Sequence, residues 1–461
     1  MLQFDQINAQ NPWWIKDNYL PEENLWPIRN IFSVIYKDIS KNLIQLITGL
    51  RRVGKSTLLK QIIAHLLKNN VDPEHILYFS FDKYTIDKSP DALDSLIEIY
   101  LSRRLKKRIF EITSRVYLFI DEIQYIDFWQ DILKKYYDLN KNLKFIISGS
   151  QSTKLKGKSK ESLAGRVIEY NVLILSLDEY FLISGTNLKH KTIWDFQLTS
   201  EGFNDLYDFN YENRLKIEPL LPLYLCYGQF PEILQYPEDI IFGYEYIKES
   251  ILGKILEIDI PKYYGIEKIQ IFKNMVYHLI TNSSSLYELQ NIGRELGLSK
   301  TTVEKYLLYI KDSYIIDVLY KYNKSNIKKG RVLKKAYATS TNFITAVNNY
   351  QLNYFNDLPE VFGKIIETYI YHRLFSIFNN IYLWRQGNKE IDFIIPDHFN
   401  STKTLPVEVK FKDNIRYNEI KEIITYSINK GIQIVLIITK SRLEMQNISG
   451  ITTFFIPFYL I

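Results

Sequence analysis

The sequence predicts a multidomain α/β chain organised around a parallel sheet, and three observations predict it. At 461 residues it is long enough for about three domains of ordinary size, each with a core of its own. Strand-length apolar runs recur at Leu43–Ile47, Leu77–Asp82, Val116–Ile120 and Lys144–Ser150, the βαβ succession of a parallel sheet covered by helices. The first of these runs leads into a glycine-bounded loop, after which Leu58, Leu59, Ile62, Ile63, Leu66 and Leu67 recur at helical spacing.

That loop, "GLRRVGKST", has the G-x-x-x-x-G-K-[ST] spacing between a strand and a helix, the context that makes it a phosphate-binding loop and the domain a P-loop NTPase. The nucleotide-binding set is Gly49, Leu50, Arg51, Arg52, Val53, Gly54, Lys55, Ser56 and Thr57. Gly49 and Gly54 let backbone N–H groups turn towards phosphate oxygens, Lys55 can reach the outer phosphates, and the Ser56 hydroxyl can ligate magnesium. The helix dipole adds to the attraction for phosphate. Arg51 and Arg52 either meet phosphate or an acidic partner, or are solvated.

Hydrolysis also needs an acid at a nearby strand end, and "RVYLFIDEIQ" supplies Asp121 and Glu122. Asp121 is placed to hold magnesium through water, Glu122 to polarise the attacking water. Ser148 or Ser150 ends the following strand, where either can sense the γ-phosphate or simply form a turn. Arg166 precedes a further extended segment. It reads either as an arginine stabilising transition-state charge, in cis or on a neighbouring copy, or as a surface ion pair. Action in trans would require a homo-oligomer.

Between about residues 185 and 225 the periodicity weakens, which reads as an insertion or helical lid. Order returns with one helix over Ser285–Gly293, a turn and cap at Leu298-Ser299, a second helix over Thr301–Ser313 and a strand over Ile315–Tyr320, a winged helix-turn-helix pattern. Lys300, Thr301, Thr302 and Lys305 can then face a DNA major groove with "KSNIKKGRVLKK" as a basic wing on the phosphates; the alternative use of the same fold is as a protein adaptor.

Near the C-terminus two strands carry Glu390 with Asp392 and Glu408 with Lys410, each pair on one face by alternation, and a preceding helix offers Glu367. Restriction-type nucleases assemble a magnesium site in this way: Asp392 and Glu408 would hold the ion and Lys410 would orient water. The alternative is a scaffold that no longer cleaves.

Composition narrows the classes. The net charge of +6, from 58 basic and 52 acidic residues, permits a nucleic-acid partner without establishing one. A single cysteine, Cys226, excludes an intramolecular disulfide and a Cys-based zinc site and reads as a buried core thiol. No apolar run approaches the roughly 18 to 20 residues that cross a bilayer. The start, "MLQFDQINAQNPWW", does not read as a secretion signal, so a cytoplasmic protein is expected.

Taken in order, "NPWW", "GLRRVGKST", "LFIDEIQ", "ISGSQS" and "LAGRVIEYNVLILSLDEYF" resemble the prokaryotic AAA-type ATPases that carry a C-terminal domain of unknown function related to restriction-endonuclease-like folds. Further on, "YGQFPEIL" is similar to the family's Gly-Phe-Pro-Glu segment, with Gln229 at a usual glycine, and "ILEIDIPKYYGI" to its next helix. The resemblance implies ATP as the nucleotide. It also implies a restriction-endonuclease-like α/β C-terminal domain. It departs at Thr339-Ser340-Thr341, where related sequences carry an aspartate. The division expected is an AAA-type domain over 1–184, a lid over 185–275, a winged-helix domain over 276–345 and the nuclease-like domain over 346–461.

Overall fold

The computed structural model describes residues 2–82, 89–149, 163–186, 188–237, 239–322, 334–350, 352, 354–378, 380–396 and 403–461. Ser150 and residues 324–333 of the expected basic wing lie outside these. The chain forms two compact units, Met1–Leu175 and Ser176–Ile461. Among the described residues no helix is long and apolar enough to cross a membrane.

The first unit is a five-stranded parallel sheet of β1 (Ile44–Gly49), β2 (Ile76–Ser80), β3 (Val116–Asp121), β4 (Leu143–Gly149) and β5 (Val167–Val172), ordered β2-β3-β4-β1-β5. β1, β2 and β4 are buried along their whole length, which is why they read as unbroken apolar runs rather than alternating ones. Because β4 separates β1 from β3, the loop after β1 and the ends of β4 and β3 share one edge of the sheet.

The "QNPWW" segment closes the outer edge of β2. The Asn11 amide donates to the Tyr78 carbonyl (2.8 Å) and accepts from the Tyr78 N–H (2.7 Å). Gln10 accepts from Ser80 N–H (2.9 Å), and the Trp13 and Trp14 indoles donate to the Ile76 carbonyl (3.1 and 2.9 Å). Side-chain amides thus satisfy backbone groups that a neighbouring strand would otherwise take.

In the second unit the segment Ser200–Ile217, within the stretch that lacked periodicity, is a helix capped by Thr199, whose hydroxyl accepts from Gly202 N–H at 3.2 Å. Cys226 is fully buried, and burial pushes its thiol up to about 12. The helix expected over Ser285–Gly293 starts later: Leu286–Tyr287 form a short strand, β6, and the helix runs Leu289–Leu296, ended by Gly297 at φ +64°. Pairing with a distant strand overrides local pattern there. A second helix, Lys300–Asp312, is capped by Ser299, and then come β7 (Ile316–Tyr320) and β8 (Lys334–Ala338) in an antiparallel sheet ordered β6-β8-β7. Within Thr339-Ser340-Thr341, Ser340 caps the helix Thr341–Asn348 by accepting from Asn342 N–H (3.1 Å) and also donates to Gln229 (2.6 Å).

The helix Pro359–Ile377 precedes a six-stranded mixed sheet of β9 (Tyr382–Gln386), β10 (Lys389–Ile395), β11 (Leu405–Val409), β12 (Ile434–Thr439), β13 (Glu444–Ile448) and β14 (Ile451–Pro457), ordered β13-β14-β12-β11-β10-β9. The helix Tyr417–Lys430 packs Ile420, Ile423 and Ile424 onto Ile391, Ile394, Val435 and Ile437. In the same unit the partly buried His190 ring meets the Tyr459 carbonyl at 2.5 Å, and burial pulls the imidazole down to about 4. The unfolded chain therefore takes up a proton near pH 6.5 that the folded one refuses until about pH 4, so stability falls with acidification through that window. His190→Gln should flatten this acid limb of the melting temperature; the full shift corresponds to about 3 kcal/mol at most.

Candidate functional site

The loop between β1 and the helix Lys55–Lys68 is shaped by three residues of positive φ: Gly49 (+148°), Arg52 (+65°) and Gly54 (+93°). A Cβ on Gly49 would lie 2.3 Å from the Val172 carbonyl oxygen, so only glycine fits against β5. Val53 is buried, and its carbonyl accepts from the Arg29 guanidinium (2.8 Å), which also donates to the carbonyls of Leu173 (2.9 Å) and Ile174 (3.2 Å). Arg29 therefore clamps the loop to the segment after β5, a role that nothing in its local sequence signals. Leu50 is buried, Arg52 exposed, and Arg51 donates to the Tyr125 hydroxyl (3.5 Å). Ser56 and Thr57 begin the helix directly behind Lys55.

Lys55 is 5% exposed, and its ammonium donates to the carbonyls of its own loop, Gly49 (3.1 Å) and Leu50 (2.8 Å). Asp121, 2% exposed at the end of β3, accepts from the Tyr78 hydroxyl (2.9 Å), from the Ser148 hydroxyl and from Glu122 N–H (3.1 Å). The structure thus brings Lys55, Asp121, Glu122 and Ser148 to one sheet edge. Tyr78, on β2, was missed by sequence reasoning because a tyrosine inside an apolar strand run looks like core. Glu122 stands at φ +55° and takes a hydrogen bond from Gln124. Burial chiefly raises its pKa, the nearby Lys55 ammonium opposes this, and Asp121 adds to it. The Ser56 hydroxyl and the Asp121 carboxylate are oxygen donors of the kind that magnesium takes.

Arg166 is corrected for action in cis. Val167 pairs with Ile44 and Val172 with Gly49, so Arg166 stands at the opposite end of the sheet from the loop, roughly 20 Å away along the strand. Its guanidinium instead makes a two-pronged pair with Asp138 (3.0 and 3.2 Å).

The C-terminal acids converge within the second unit. Val409 N–H donates to Asp392 (2.9 Å), Asp392 N–H to Glu408 (3.4 Å), and Lys410 to Glu408 (2.6 Å). Glu367, from the helix Pro359–Ile377, joins them, and burial raises both Glu367 and Glu408, opposed by Lys335 and Lys410 respectively. At the centre is a residue that sequence reasoning did not single out for this site. The Lys335 ammonium, 5% exposed, lies 2.9 Å from Glu367, 2.7 Å from Glu390 and 3.3 Å from Asp392. The set therefore does not fit magnesium as it stands, and among the described residues no group of three or more His, Cys, Asp or Glu is arranged to hold a metal. The signal in "KKAYA" is faint: Lys335 shares a strand face with Tyr337, itself buried and donating to Glu367 (2.8 Å).

Comparison with known proteins agrees with the first unit. Residues 41–181 match the AAA domain family, while residues 218–348 and 362–459 match two domains of unknown function, DUF8612 and DUF4143. An uncharacterized protein of Methanocaldococcus jannaschii is 26% identical over 86% of this chain and 81% of its own length. One of Haemophilus influenzae is 24% identical over 91% and 94%. Among solved structures, the Aeropyrum pernix Orc1 protein in complex with DNA is 12% identical over 76% of this chain and 97% of its own, with a TM-score of 0.31. AMPPCP-bound DnaA from Aquifex aeolicus is 13% identical over 65% and 93%, with a TM-score of 0.29. At these scores neither says what this chain binds. The phosphate loop, the parallel sheet and the match over residues 41–181 agree in making the first unit an AAA-type domain, and residues 362–459 match a domain of unknown function.

Proposed function

We propose that the first unit binds ATP with Mg2+ and hydrolyses it. The observation that carries this reading is the convergence of Lys55, Asp121, Glu122 and Ser148 at the sheet edge that the glycine loop overhangs. Lys55 exchanges its two loop carbonyls for phosphate oxygens, and the loop N–H groups close around the chain of phosphates. Ser56 and Asp121 would hold the magnesium, which when bound draws charge from the phosphate oxygens. Tyr78 and Ser148 orient the Asp121 carboxylate. Glu122, its basicity raised by burial, accepts from the attacking water. Arg166 is kept for a neighbouring copy in a homo-oligomer.

The division into an AAA-type domain (1–184), a lid (185–275), a winged-helix domain (276–345) and a restriction-endonuclease-like domain (346–461) goes with this proposal, turnover rearranging the last two. A second reading is that the winged-helix segment meets DNA. It is favoured by Lys300, Thr301 and Lys305, exposed at the start of the helix Lys300–Asp312 with Thr302 partly exposed beside them.

The test is phosphate release from ATP and Mg2+, with and without duplex DNA. Glu122→Gln should retain ATP binding and lose turnover by about 100-fold or more, the scale of a general base. Lys300→Glu with Lys305→Glu should leave basal turnover intact and remove any stimulation by DNA. Turnover equal to wild type in Glu122→Gln would reject the assigned base, and DNA-independent turnover in wild type would reject the second reading.

A further inference from the structure

The geometry points to a C-terminal acid cluster that is closed to metal by an ammonium from within the chain: Lys335 occupies the place where a divalent cation would bind. The claim concerns the second unit alone and does not rest on the nucleotide reading.

Four carboxylates, Glu367, Glu390, Asp392 and Glu408, face three cations. Lys335 contacts the first three, Arg385 pairs with Glu390 (2.9 Å), and Lys410 pairs with Glu408 (2.6 Å). With all four carboxylates ionised, as metal ligands must be, deleting Lys335 would leave two unbalanced negative charges, the charge that one divalent ion supplies. A metal bridging Asp392 and Glu367 would need the space the ammonium fills, because oxygen ligands sit at about 2.0 to 2.6 Å from such ions. Asp392 cannot turn away either, since its other oxygen accepts from Val409 N–H at 2.9 Å.

The backbone that carries Lys335 is fixed on both sides. β8 is the middle strand of its sheet, with Lys335 opposite Leu286 on β6 and Leu319 on β7. Two residues on, Tyr337 stacks on Tyr371 with ring centroids 4.2 Å apart and planes 4° from parallel, and its hydroxyl reaches Glu367. A lysine held this way is part of the fold of the acid cluster. The arrangement puts, at the centre of the acid cluster, a charge that cannot polarise a scissile phosphate as magnesium does.

The experiment titrates nucleotide-free, full-length protein with Mn2+, following unbound Mn2+ by electron paramagnetic resonance, and incubates the same samples with labelled duplex DNA. Wild type should show no stoichiometric uptake at micromolar Mn2+ and leave DNA uncut. Lys335→Met should take up one Mn2+ per chain at least 10-fold more tightly than wild type, and adding Asp392→Asn should abolish it. Uptake by wild type that Asp392→Asn removes would overturn the inference, as would Asp392-dependent cleavage by wild type or a folded Lys335→Met that ignores Mn2+. If Lys335→Met does not fold, Lys335→Met with Glu390→Gln relieves one of the two unbalanced charges and is judged by the same uptake. The wild-type titration can overturn the claim alone. Failure of ATP turnover leaves this outcome unchanged, so the two readings fall separately.

Discussion

Lys55→Ala should abolish measurable phosphate release from ATP while leaving the protein folded. Lys55 is 5% exposed, and its ammonium is held between the Gly49 and Leu50 carbonyls at 3.1 and 2.8 Å. Those carbonyls hold the charge at the loop that, in the proposed function, closes around the phosphates. Removing a pre-positioned donor from a site that develops negative charge costs on the order of 100- to 1,000-fold in rate, about 3 to 4 kcal/mol. Here the donor carries a full charge, so the loss should reach the upper end of that range, with weaker nucleotide binding as well. Circular dichroism checks the fold, nucleotide titration the affinity, and single-turnover phosphate release the chemistry. Wild-type release from a folded Lys55→Ala protein would remove the loop from the reaction.

Gly49→Ala gives the second large effect, on stability and binding together. A Cβ there lies 2.3 Å from the Val172 carbonyl oxygen, and the residue sits at φ +148°. Both partners are backbone in paired strands, since Gly49 is in register with Val172, so neither can step aside without parting β1 from β5. The backbone strain alone is of order 1 to 3 kcal/mol, and the overlap adds to it, for a total of about 3 kcal/mol or more. Thermal unfolding should shift down by roughly 6 to 12 °C for a unit of this size. Gly165→Ala is the control: φ is +75°, yet nothing lies within 4 Å of the added carbon. Its cost should be only the conformational part, about 1 kcal/mol. Equal destabilisation by the two changes would show that the contact with Val172 carries no weight.

The nucleotide half was legible because its chemistry is local. Gly49 to Thr57 are consecutive, Asp121 and Glu122 are adjacent, and β3 and β4 are short apolar runs that reach Asp121 and Ser148. The start of the helix Leu289–Leu296 was misplaced because Leu286 and Tyr287 pair with Lys335 and Lys334, about fifty residues later. Arg166 stayed open between a transition-state arginine and a surface ion pair for a similar reason. Which end of the sheet it occupies follows from the pairing of Val167 with Ile44 and is absent from its neighbours in sequence.

By itself the sequence determined the phosphate loop, the acid pair beyond it and the parallel α/β character of the first unit, because each depends on contacts between residues close along the chain. Only the tertiary structure decided that Tyr78 holds Asp121, that Arg29 clamps Val53 and that Lys335 fills the C-terminal acid cluster. Those placements join residues tens of positions apart, and a buried charge is stabilised by whatever partner the fold delivers to it, which no local pattern announces.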